Sequence, residues 1–383
     1  MRFAVDAHAI GRHLTGNEVY VRSLLGALVS VNPESEIVAY VSSPEAAQVL
    51  PPGIDLKNVA TNPFVRLGFD LSVRVLRDRP DLLHVQYTAP LACPVPVVVS
   101  VHDVSFLEHP EYFSRARAWQ LQLTVRQTVL RAARVITCTE FSRASILRAY
   151  GELEESKVVA VPLAAATSFR PIARQAAAAA VRERFGVAGP FLLSVGDLQP
   201  RKNHPGLIRA FAQLARAYPH LPHTLVLAGK DTWYAERVKE AARASGVGER
   251  IRFLGFVSDQ DLLQLYNACD LLVFPTFYEG FGLPALEAMA CGRAVACSNT
   301  SALPEVVDGA AIVFDPYSTG EMVRAMADLL LSPELRARME RLGLQRAAHF
   351  SWHKTAQKTL DVFAEVVERR ASAGRKIRAA VVR

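Results

Sequence analysis

Two glutamates in the string EGFGLPALE are the residues best suited by type and spacing to do chemistry, and seven residues separate them. Glu279 stands beside Gly280 and Gly282, whose lack of a side chain lets a ligand approach the backbone. Glu287 falls in the first turn of a predicted helix. One carboxylate can therefore face the far end of a ligand while the other faces its near end. Taken singly, each has a simpler explanation, because Glu favours first helical turns and loop carboxylates are usually solvated.

A basic pair, Arg201 and Lys202, ends a second loop just before a predicted helix that Asn203 can cap. Two cations at a helix N-terminus are electrostatically unfavourable unless an anion lies between them. The pair therefore predicts a diphosphate site, with a solvated Arg-Lys pair as the alternative interpretation.

Two more candidates, His102 and Gly16, follow predicted strands nearer the N-terminus. Site residues collect at the carboxyl ends of parallel strands, where His102 stands, although a lone histidine there is more often structural. Gly16 lies in Thr15-Gly16-Asn17, which has the small residues of a strand-to-helix turn. Its backbone could admit a phosphate, whereas a lone glycine more often marks a plain turn.

The loop that carries Glu279 is framed by predicted regular structure. Residues 270–274 form a short apolar run, which is typical of a buried parallel strand. Pro284 suits the first helical position, and Gly292 suits the end of that helix. In an open parallel sheet, ligands bind outside the carboxyl ends of the strands, which is where this loop lies.

Strands alternating with helices along the chain predict the α/β class with doubly wound parallel sheets. Helices are predicted at residues 66–79 and 115–134, with Ser142 and Ser258 as caps of later ones. An Ala-rich stretch with Pro171 separates two halves, which predicts domains 1–170 and 171–355 and a segment 356–383 with a last helix and a basic tail. The remaining predicted strands are residues 2–10, 37–42, 81–86, 95–101, 135–139, 158–163, 191–195, 224–228, 251–253 and 293–297.

Composition excludes several classes of protein. Half of the 383 residues are hydrophobic and 21% are charged, which is typical of a globular protein with room for two domains. No apolar run approaches the ~20 residues of a membrane span, and the N-terminus lacks a signal-peptide core. Five scattered cysteines without a CxxC motif predict reduced thiols in a cytoplasmic protein. No Walker-A or GxGxxG string supports an NTPase or a dehydrogenase.

The net charge of +7 is concentrated at the C-terminus, because residues 369–383 contain six basic residues and no acidic ones. No basic patch is interleaved with aromatics, so nucleic acid is not an expected partner. The tail is either a disordered, solvated end or a device for peripheral contact with anionic membrane. The arginines at residues 115–134 likewise indicate a solvated helix face or contact with an anionic acceptor or membrane surface.

The string PTFYEGFGLPALEAMACGRAVACSN resembles the retaining glycosyltransferases of family four. The resemblance is strong over residues 191–305, good over 95–145 and weak from 40 to 80. It implies the GT-B fold, in which two Rossmann-like domains face a central cleft and the last helix crosses back to the N-terminal domain. It also implies that Glu279 lies by the donor sugar and that Glu287 binds the ribose hydroxyls. His349 and Trp352 would belong to the crossing, in a structural role.

The resemblance assigns further roles. Lys202 would hold the diphosphate, His102 would lie at the donor sugar with Asp103 orienting it or capping the loop, and the backbone near Val257 would hold the base. Many relatives have Arg where this chain has Asp197, and Arg201 is the candidate to replace that charge. Other donor-binding positions are expected at Gly16, Gly196, Gly280, Phe281, Gly282 and Leu283.

These inferences predict a cytoplasmic, metal-independent hexosyltransferase without a cofactor, taking an NDP-sugar donor and a glycan or lipid-linked acceptor. GDP-mannose is the first expectation, because PRKN and HDVSFLEHPEYF resemble the mannosyltransferase-like branch. The resemblance implies that the acceptor attacks the face that the diphosphate leaves. The Asp-x-Asp of Asp259 and Asp261 resembles a metal motif of another fold, but it is better explained as a helix start.

Two rival functions remain open. One is a non-catalytic sugar-nucleotide-binding subunit of a glycosyltransferase complex, against which the intact set of Glu279, Glu287, Lys202 and His102 counts. The other is a GT-B phosphorylase, which would use a covalent pyridoxal lysine in a much longer chain.

Overall fold

The computed structural model describes the backbone of residues 1–12 and 15–381, and the side chains of that range up to Ser372 with the exception of Thr15. The described chain forms two compact units. The first consists of Met1–Leu163 together with Ser351–Arg383, and the second of Ala164–Phe350. The two boundaries therefore lie between residues 163 and 164 and between 350 and 351, where the sequence predicted 170/171 and 355/356.

The first unit is built on a seven-stranded parallel sheet with the order β3-β2-β1-β4-β5-β6-β7. The chain moves outward from β1 in one direction and then returns to add β4 on the other side, so the topological switch point lies between β1 and β4. The strands are β1 Arg2–Asp6, β2 Glu36–Val41, β3 Ile54–Asn58, β4 Leu82–Gln86, β5 Val97–Ser100, β6 Arg134–Thr137 and β7 Val158–Ala160.

Helices cover this sheet because its strands carry apolar residues on both faces. Phe3 of β1 packs edge to face on Phe363 of the last helix, with ring centroids 5.2 Å apart. On the other face, Leu71 and Val75 are fully buried against the sheet residues Val38 and Leu83. The helices of this unit are α1 Thr15–Val31, α2 Ala46–Val49, α3 Pro63–Val65, α4 Leu71–Asp78, α5 Ser105–Glu108, α6 Arg115–Arg131, α7 Glu140–Ala149 and α16 Trp352–Val381, with a π-helical turn, Arg66–Asp70, between α3 and α4.

The second unit contains a six-stranded parallel sheet with the order β10-β9-β8-β11-β12-β13, and its switch point lies between β8 and β11. Its strands are β8 Phe191–Val195, β9 Thr224–Ala228, β10 Ile251–Gly255, β11 Leu271–Phe274, β12 Val295–Ser298 and β13 Ile312–Phe314. Its helices are α8 Arg174–Phe185, α9 His204–Ala217, α10 Ala235–Ala244, α11 Asp259–Ala268, α12 Leu283–Ala290, α13 Leu303–Val307, α14 Thr319–Leu331 and α15 Pro333–Ala347.

The predicted class, α/β with two Rossmann-like parallel sheets, is confirmed. The sequence missed β3 and β13, which are short strands at sheet edges. Two predicted caps were wrong. Thr139, not Ser142, caps α7, because its side chain accepts from the Ser142 amide. Asn203 precedes α9 in a left-handed conformation and makes no side-chain cap, because its amide nitrogen donates to the Pro316 carbonyl instead.

The last helix behaves as the resemblance implied, since α16 belongs to the first unit although the chain reaches it from the second. Trp352 opens this helix and is buried near Tyr20, whereas His349 is the last but one residue of the second unit. The backbone of the basic tail is helical to Val381, which counts against the disordered end, one of its two predicted alternatives. The side chains of Arg375, Lys376 and Arg378, and all of Arg383, lie outside the described residues.

Candidate active site

The loops that follow β8 and β11 come together in the second unit, at the carboxyl ends of two neighbouring strands. The two strands pair in register, with Leu271 opposite Leu192. Their loops are joined by backbone, because the Phe277 amide donates to the Arg201 carbonyl over 2.7 Å. This junction lies at the topological switch point, where open α/β sheets bind their ligands. The order of the strands thus brings the basic pair and the first glutamate to one place.

Glu279 is the centre of the junction. Its Oε1 atom accepts hydrogen bonds from Arg201 Nη1 and Lys202 Nζ, each over 2.7 Å, and lies 2.9 Å from the Thr276 hydroxyl. We call these four residues the Glu279 cluster. Thr276, Lys202 and Glu279 are all buried. The Glu279 amide is also held, because it donates to Ser301 Oγ over 2.9 Å. The carboxylate is therefore fixed from both its side chain and its backbone.

The electrostatics of the Glu279 cluster keep the carboxylate ionised. Burial by itself would raise the pKa of Glu279, but the charges of Arg201 and Lys202 and their hydrogen bonds lower that pKa to about 2. Burial and the neighbouring Arg201 lower the pKa of Lys202, against the opposing attraction of Glu279. Two cations share one carboxylate here, so the trio carries a net positive charge. That surplus suits an incoming anion.

Lys202 reaches Glu279 because Gly196 leaves room for it. Gly196 has a φ of +148°, and a Cβ atom placed on it would lie 3.0 Å from Lys202 Cε and 3.1 Å from Cδ. The ammonium also lies 4.8 Å from the ring centroid of Phe274, the last residue of β11. Both contacts fix the lysine stem along the strand ends, so the predicted position Gly196 acts on Lys202 directly.

Asp197 stands where the resemblance led us to expect Arg, and its carboxylate is used for the loop itself. Its Oδ1 accepts from the Lys230 amide over 3.1 Å. Arg201 occupies the cationic side of the junction instead, donating to Glu279 and to the Tyr278 carbonyl. A side chain on Gly229 would collide with the neighbouring loop, because its Cβ would lie 2.0 Å from the Gly196 carbonyl oxygen.

Glu287 is the fifth of the eight residues of α12, which corrects its predicted place in the first turn, and its environment differs from that of Glu279. Its Oε2 accepts a 2.8 Å hydrogen bond from the hydroxyl of the fully buried Tyr266, a residue of α11. Burial raises the pKa of Glu287 to about 7, although the tyrosine hydrogen bond opposes that rise. The two glutamates therefore titrate far apart, one remaining ionised and the other changing charge near neutral pH.

The loop and helix start between the two glutamates supply backbone rather than side chains. Gly282 adopts a φ of +96°, and a Cβ there would lie 2.4 Å from Leu303 Cδ2, so only glycine fits. Phe281 is buried with its ring edge on Phe350, which places its side chain in the core. Gly280 is buried. Leu283 is the first residue of α12, and Pro284 is the second. These positions can offer amides to a ligand.

Val257, the position expected near the base, follows β10 and is largely buried in the core of the second unit. The Ser258 side chain caps α11 by accepting from the Asp261 amide, as predicted. Asp261 in turn accepts from Ser258 Oγ over 2.8 Å, so this Asp-x-Asp is occupied with helix capping. Across the described residues, no group of three or more His, Cys, Asp or Glu is arranged to hold a metal ion.

His102 and Gly16 belong to the first unit. The His102 ring packs against the edge of Tyr20, with centroids 4.5 Å apart, and burial lowers its pKa to about 4. The imidazole is therefore neutral at pH 7. Its Nε2 is buried and has no hydrogen-bond partner among the residues described. Asp103 caps the loop rather than orienting the ring, because its Oδ1 accepts from the Ser105 amide and hydroxyl.

Gly16 lies in the first turn of α1 and not in a loop, which corrects the predicted turn. It is exposed, and a Cβ on it would meet no atom within 4 Å. No steric contact in the described chain therefore requires glycine at this position.

Sequence reasoning missed Thr276, Ser301 and Tyr266. Thr276 stands within the recognised string PTFYEGFG, so its position just after β11 was a usable signal. Tyr266 is fully buried on α11 and carried no such signal, because an aromatic on an apolar helix face is usually core. Its hydrogen bond to Glu287 joins residues from two separate helices, which sequence periodicity does not reveal.

Comparison with known proteins gives consistent relatives. The family description "Glycosyl transferases group 1" matches residues 181–346, and "Glycosyltransferase Family 4" matches residues 14–169. The chain is 32% identical over 267 residues to the O-antigen chain mannosyltransferase B of Escherichia coli, covering 70% of this chain and 69% of that protein.

Two solved structures are similar over nearly the whole length. The sucrose-phosphate synthase of Thermosynechococcus elongatus superposes with a TM-score of 0.79 at 18% identity, covering 96% of this chain and 100% of that one. Anabaena HepE in complex with UDP-glucose gives a TM-score of 0.76 at 20% identity, covering 95% and 99%. Both likenesses concern the fold. Together with the Escherichia coli relative and the two sheets, they establish that this chain is a GT-B glycosyltransferase of the family-4-like group.

Proposed function

We propose that this chain is a retaining hexosyltransferase that transfers its sugar from a nucleotide-diphosphate donor to a glycan or lipid-linked acceptor. The observation that carries the proposal is the Glu279 cluster, a buried carboxylate held by two cations at the switch point between β8 and β11. Glu287, with Tyr266 behind it, stands one loop and one helical turn away along the chain.

The donor would use these groups in order along its length. The carboxylate of Glu287 would accept the two ribose hydroxyls, since vicinal hydroxyls supply two donors. Lys202 and Arg201 would bind the diphosphate and stabilise the negative charge that grows as it leaves. Glu279 and the neutral His102 would bind the sugar hydroxyls.

The mechanism we propose needs no metal ion and no cofactor. The cations of the Glu279 cluster would neutralise the diphosphate in place of a metal ion. The acceptor would attack the face of the sugar that the diphosphate leaves, and a phosphate oxygen would take the proton of the attacking hydroxyl. The bond to the diphosphate breaks as the new glycosidic bond forms on the same face of the sugar, and because the two lie on one face the configuration at the anomeric carbon is retained.

Mannose, carried by GDP, is our first candidate for the donor. The Escherichia coli relative is named as a mannosyltransferase, and the string PRKN in this chain resembles the same branch. Anabaena HepE was solved with UDP-glucose, so UDP-sugars belong in any screen.

A thermal-shift screen of GDP, UDP and their sugars, followed by an assay of slow donor hydrolysis, tests the proposal. A ligand that binds only the folded state stabilises it by about 2.7 kcal/mol when its concentration is 100 times its Kd. This stabilisation raises the melting temperature. The expected result is a specific shift with one nucleotide and hydrolysis of its sugar form. A shift without any hydrolysis or transfer would favour a non-catalytic sugar-nucleotide-binding subunit, and no shift with any nucleotide would refute the donor site.

We further propose that the acceptor is reached through peripheral contact with anionic membrane. None of the described helices has the length and apolar character needed to cross a bilayer. The basic tail continues α16, and each Lys or Arg near an anionic surface contributes about 1 kcal/mol. Arg369 pairs with Glu365 within α16, whereas Arg370 donates to the Asp81 carbonyl and so connects the helix to its own unit.

Liposome flotation of the full chain and of a chain ending at Glu368 tests that contact. At low salt the full chain is expected to float with anionic vesicles and the shortened chain to float less. At 1 M salt the difference should vanish, because the Debye length falls to ~3 Å. Equal flotation of the two chains at low salt would mean that the tail does not mediate membrane contact. The next candidate would be α6, which carries Arg115, Arg117, Arg126 and Arg131.

A further inference from the structure

A second charged cluster, unrelated to the donor residues, lies in the first unit at the carboxyl end of β1. Asp6, the last residue of β1, is 1% exposed. Its Oδ1 lies 3.0 Å from His8 Nδ1, and its Oδ2 lies 3.6 Å from Arg66 Nε. Arg12 is close enough to Arg66 to act on it electrostatically, and it donates to the Thr61 carbonyl.

Arg66 is the unusual member of this cluster. Its side chain is 4% exposed, yet Nε and Nη1 have no hydrogen-bond partner anywhere in the described part of the chain. Buried polar groups are normally satisfied, and a buried cation with two unused donors demands an explanation. The single nearby carboxylate attracts Arg66 from 3.6 Å but accepts no hydrogen bond from it. Arg66 is thus held in place while two of its hydrogen-bond donors remain unused.

The local charge is positive. Arg66 and Arg12 are both cationic, and Asp6 is the one carboxylate that faces Arg66 among the described residues. Other buried arginines in this chain differ, since Arg134 is 6% exposed but forms two hydrogen bonds with Glu365. A group with several acceptor oxygens and a negative charge would accept from an unused Arg66 donor and balance the surplus.

The position in the fold also favours a ligand. β1 and β4 are the strands between which the strand order of the first sheet reverses, and Asp6 ends β1 at its carboxyl edge. Crevices at such switch points are where open α/β sheets bind ligands. Arg66 reaches this edge from the π-helical turn that follows α3, where Asn62 fixes the helix start by accepting from the Phe64 and Val65 amides.

We propose that Arg66, assisted by Arg12 and His8, binds a phosphate group of the acceptor. The guanidinium offers planar forks that match two phosphate oxygens, and Nε and Nη1, which lie on opposite edges of its plane, each form one side of such a fork. Asp6 orients the arginine without consuming those donors. This inference rests on the proposed transferase function and deepens it, because it makes the acceptor a phosphate-bearing molecule. The phosphate belongs either to a soluble phosphomonoester or to a lipid headgroup.

Binding of inorganic phosphate and of glycerol 1-phosphate, measured without any donor, tests the proposal on the full chain. Arg66→Lys keeps the charge and removes the fork, so we expect phosphate affinity to fall about tenfold or more. Arg134→Lys is the matched control, a buried arginine whose partners are internal, and its phosphate affinity should remain within about twofold of the wild type. Chloride at equal ionic strength controls for screening.

A second measurement does not depend on the variant folding. In the wild-type protein, phosphate should slow amide hydrogen exchange in residues 62–70 and leave residues 134–137 unchanged. Vesicles that contain phosphatidic acid, compared with phosphatidylserine vesicles of equal charge, distinguish a lipid phosphate from a soluble one. The proposal is overturned if phosphate leaves residues 62–70 unprotected, or if Arg66→Lys binds phosphate as well as the wild type. Neither result tests donor binding, which the thermal-shift screen of nucleotides measures separately.

Discussion

Glu279 shows what one buried carboxylate does when two cations share it. Arg201 and Lys202 both donate to the same oxygen, so neither cation is left alone in a buried place. An arriving diphosphate would find that positive charge already oriented, which is the condition for electrostatic stabilisation without reorganisation. We therefore expect a change at Glu279 to affect catalysis and nucleotide binding to different extents.

The variant Glu279→Gln should lower kcat by about 10- to 100-fold, because a charge-assisted hydrogen bond contributes about 1.5–3 kcal/mol. Affinity for the bare nucleotide diphosphate should change much less, because the proposed partner of Glu279 is the sugar and not the nucleotide. Initial-rate kinetics and calorimetry provide the two readouts. The exposed Glu183→Gln serves as the control. Unchanged kcat in Glu279→Gln would remove this residue from the active site.

Glu287 gives a pH dependence whose sign can be worked out. Its pKa is raised from 4.5 to about 7, so the folded state favours the protonated form, and folding stability falls as pH rises from about 4.5 to about 7. Nucleotide binding should run the other way, because the ionised carboxylate accepts the ribose hydroxyls better. We expect nucleotide affinity, measured by calorimetry from pH 5.5 to 8.5, to increase across neutral pH.

The variant Tyr266→Phe removes the hydrogen bond that lowers the pKa of Glu287, so the rise in affinity should move to higher pH. Tyr150→Phe is the control, a buried tyrosine whose hydroxyl has no hydrogen-bond partner among the described residues. If the midpoint of the binding curve stayed fixed in Tyr266→Phe, Glu287 would not be the group that titrates.

At the scale of secondary-structure elements, the donor residues depend on how closely two loops approach each other at the ends of β8 and β11. Gly196 directly follows β8, and because it has no side chain it leaves room for the Lys202 side chain. Gly282 has the same role at the start of α12, against Leu303. The two loops themselves are joined by the hydrogen bond from the Phe277 amide to the Arg201 carbonyl.

We expect Gly196→Ala to displace Lys202 and lower kcat/KM by about 10-fold or more, because the added Cβ would lie 3.0 Å from Lys202 Cε and a φ of +148° is unfavourable for alanine. Gly320→Ala is the control, since Gly320 lies in a helix with open space around it. Kinetics with the identified donor decide the matter. Equal loss in both variants would mean that the effect is not specific to Lys202.

At the scale of elements, local sequence patterns predicted the bounds of some strands and missed other features. Residues 191–195 and 224–228 were predicted as strands with their observed bounds, because each is a short apolar run between turn residues. The first predicted strand was too long, since β1 ends at Asp6 where the chain turns. Asn203 was expected to cap α9 with its side chain. The side-chain amide nitrogen of Asn203 instead donates to the carbonyl of Pro316, which is distant in sequence.

At the scale of the whole molecule, each unit has its own parallel sheet with its own switch point. The donor candidates other than His102 and Gly16 lie in the second unit, and the Arg66 cluster lies in the first. This division fits a transferase that binds two substrates with different chemistry.

Activity should survive EDTA, because Lys202 and Arg201 are available for the diphosphate and the Asp259–Asp261 region is occupied with helix capping. Transfer or donor hydrolysis assayed with and without chelator checks this. Restoration by magnesium or manganese after complete loss would contradict the proposed role of the cations and return attention to the two aspartates.

The sequence by itself determined the class of fold, most strands and helices, the family, and the identity of the charged residues in the donor loops. These follow from local signals, namely apolar runs, glycines, prolines and a long recognisable motif. The tertiary structure decided the partners. Lys202 and Glu279 are 77 positions apart, Tyr266 and Glu287 are 21 apart, and Asp6 meets Arg66 across three intervening helices and two strands. Such pairs form because the strand order of each sheet brings distant loops to one edge, and the order of the strands is not encoded in any short stretch of sequence.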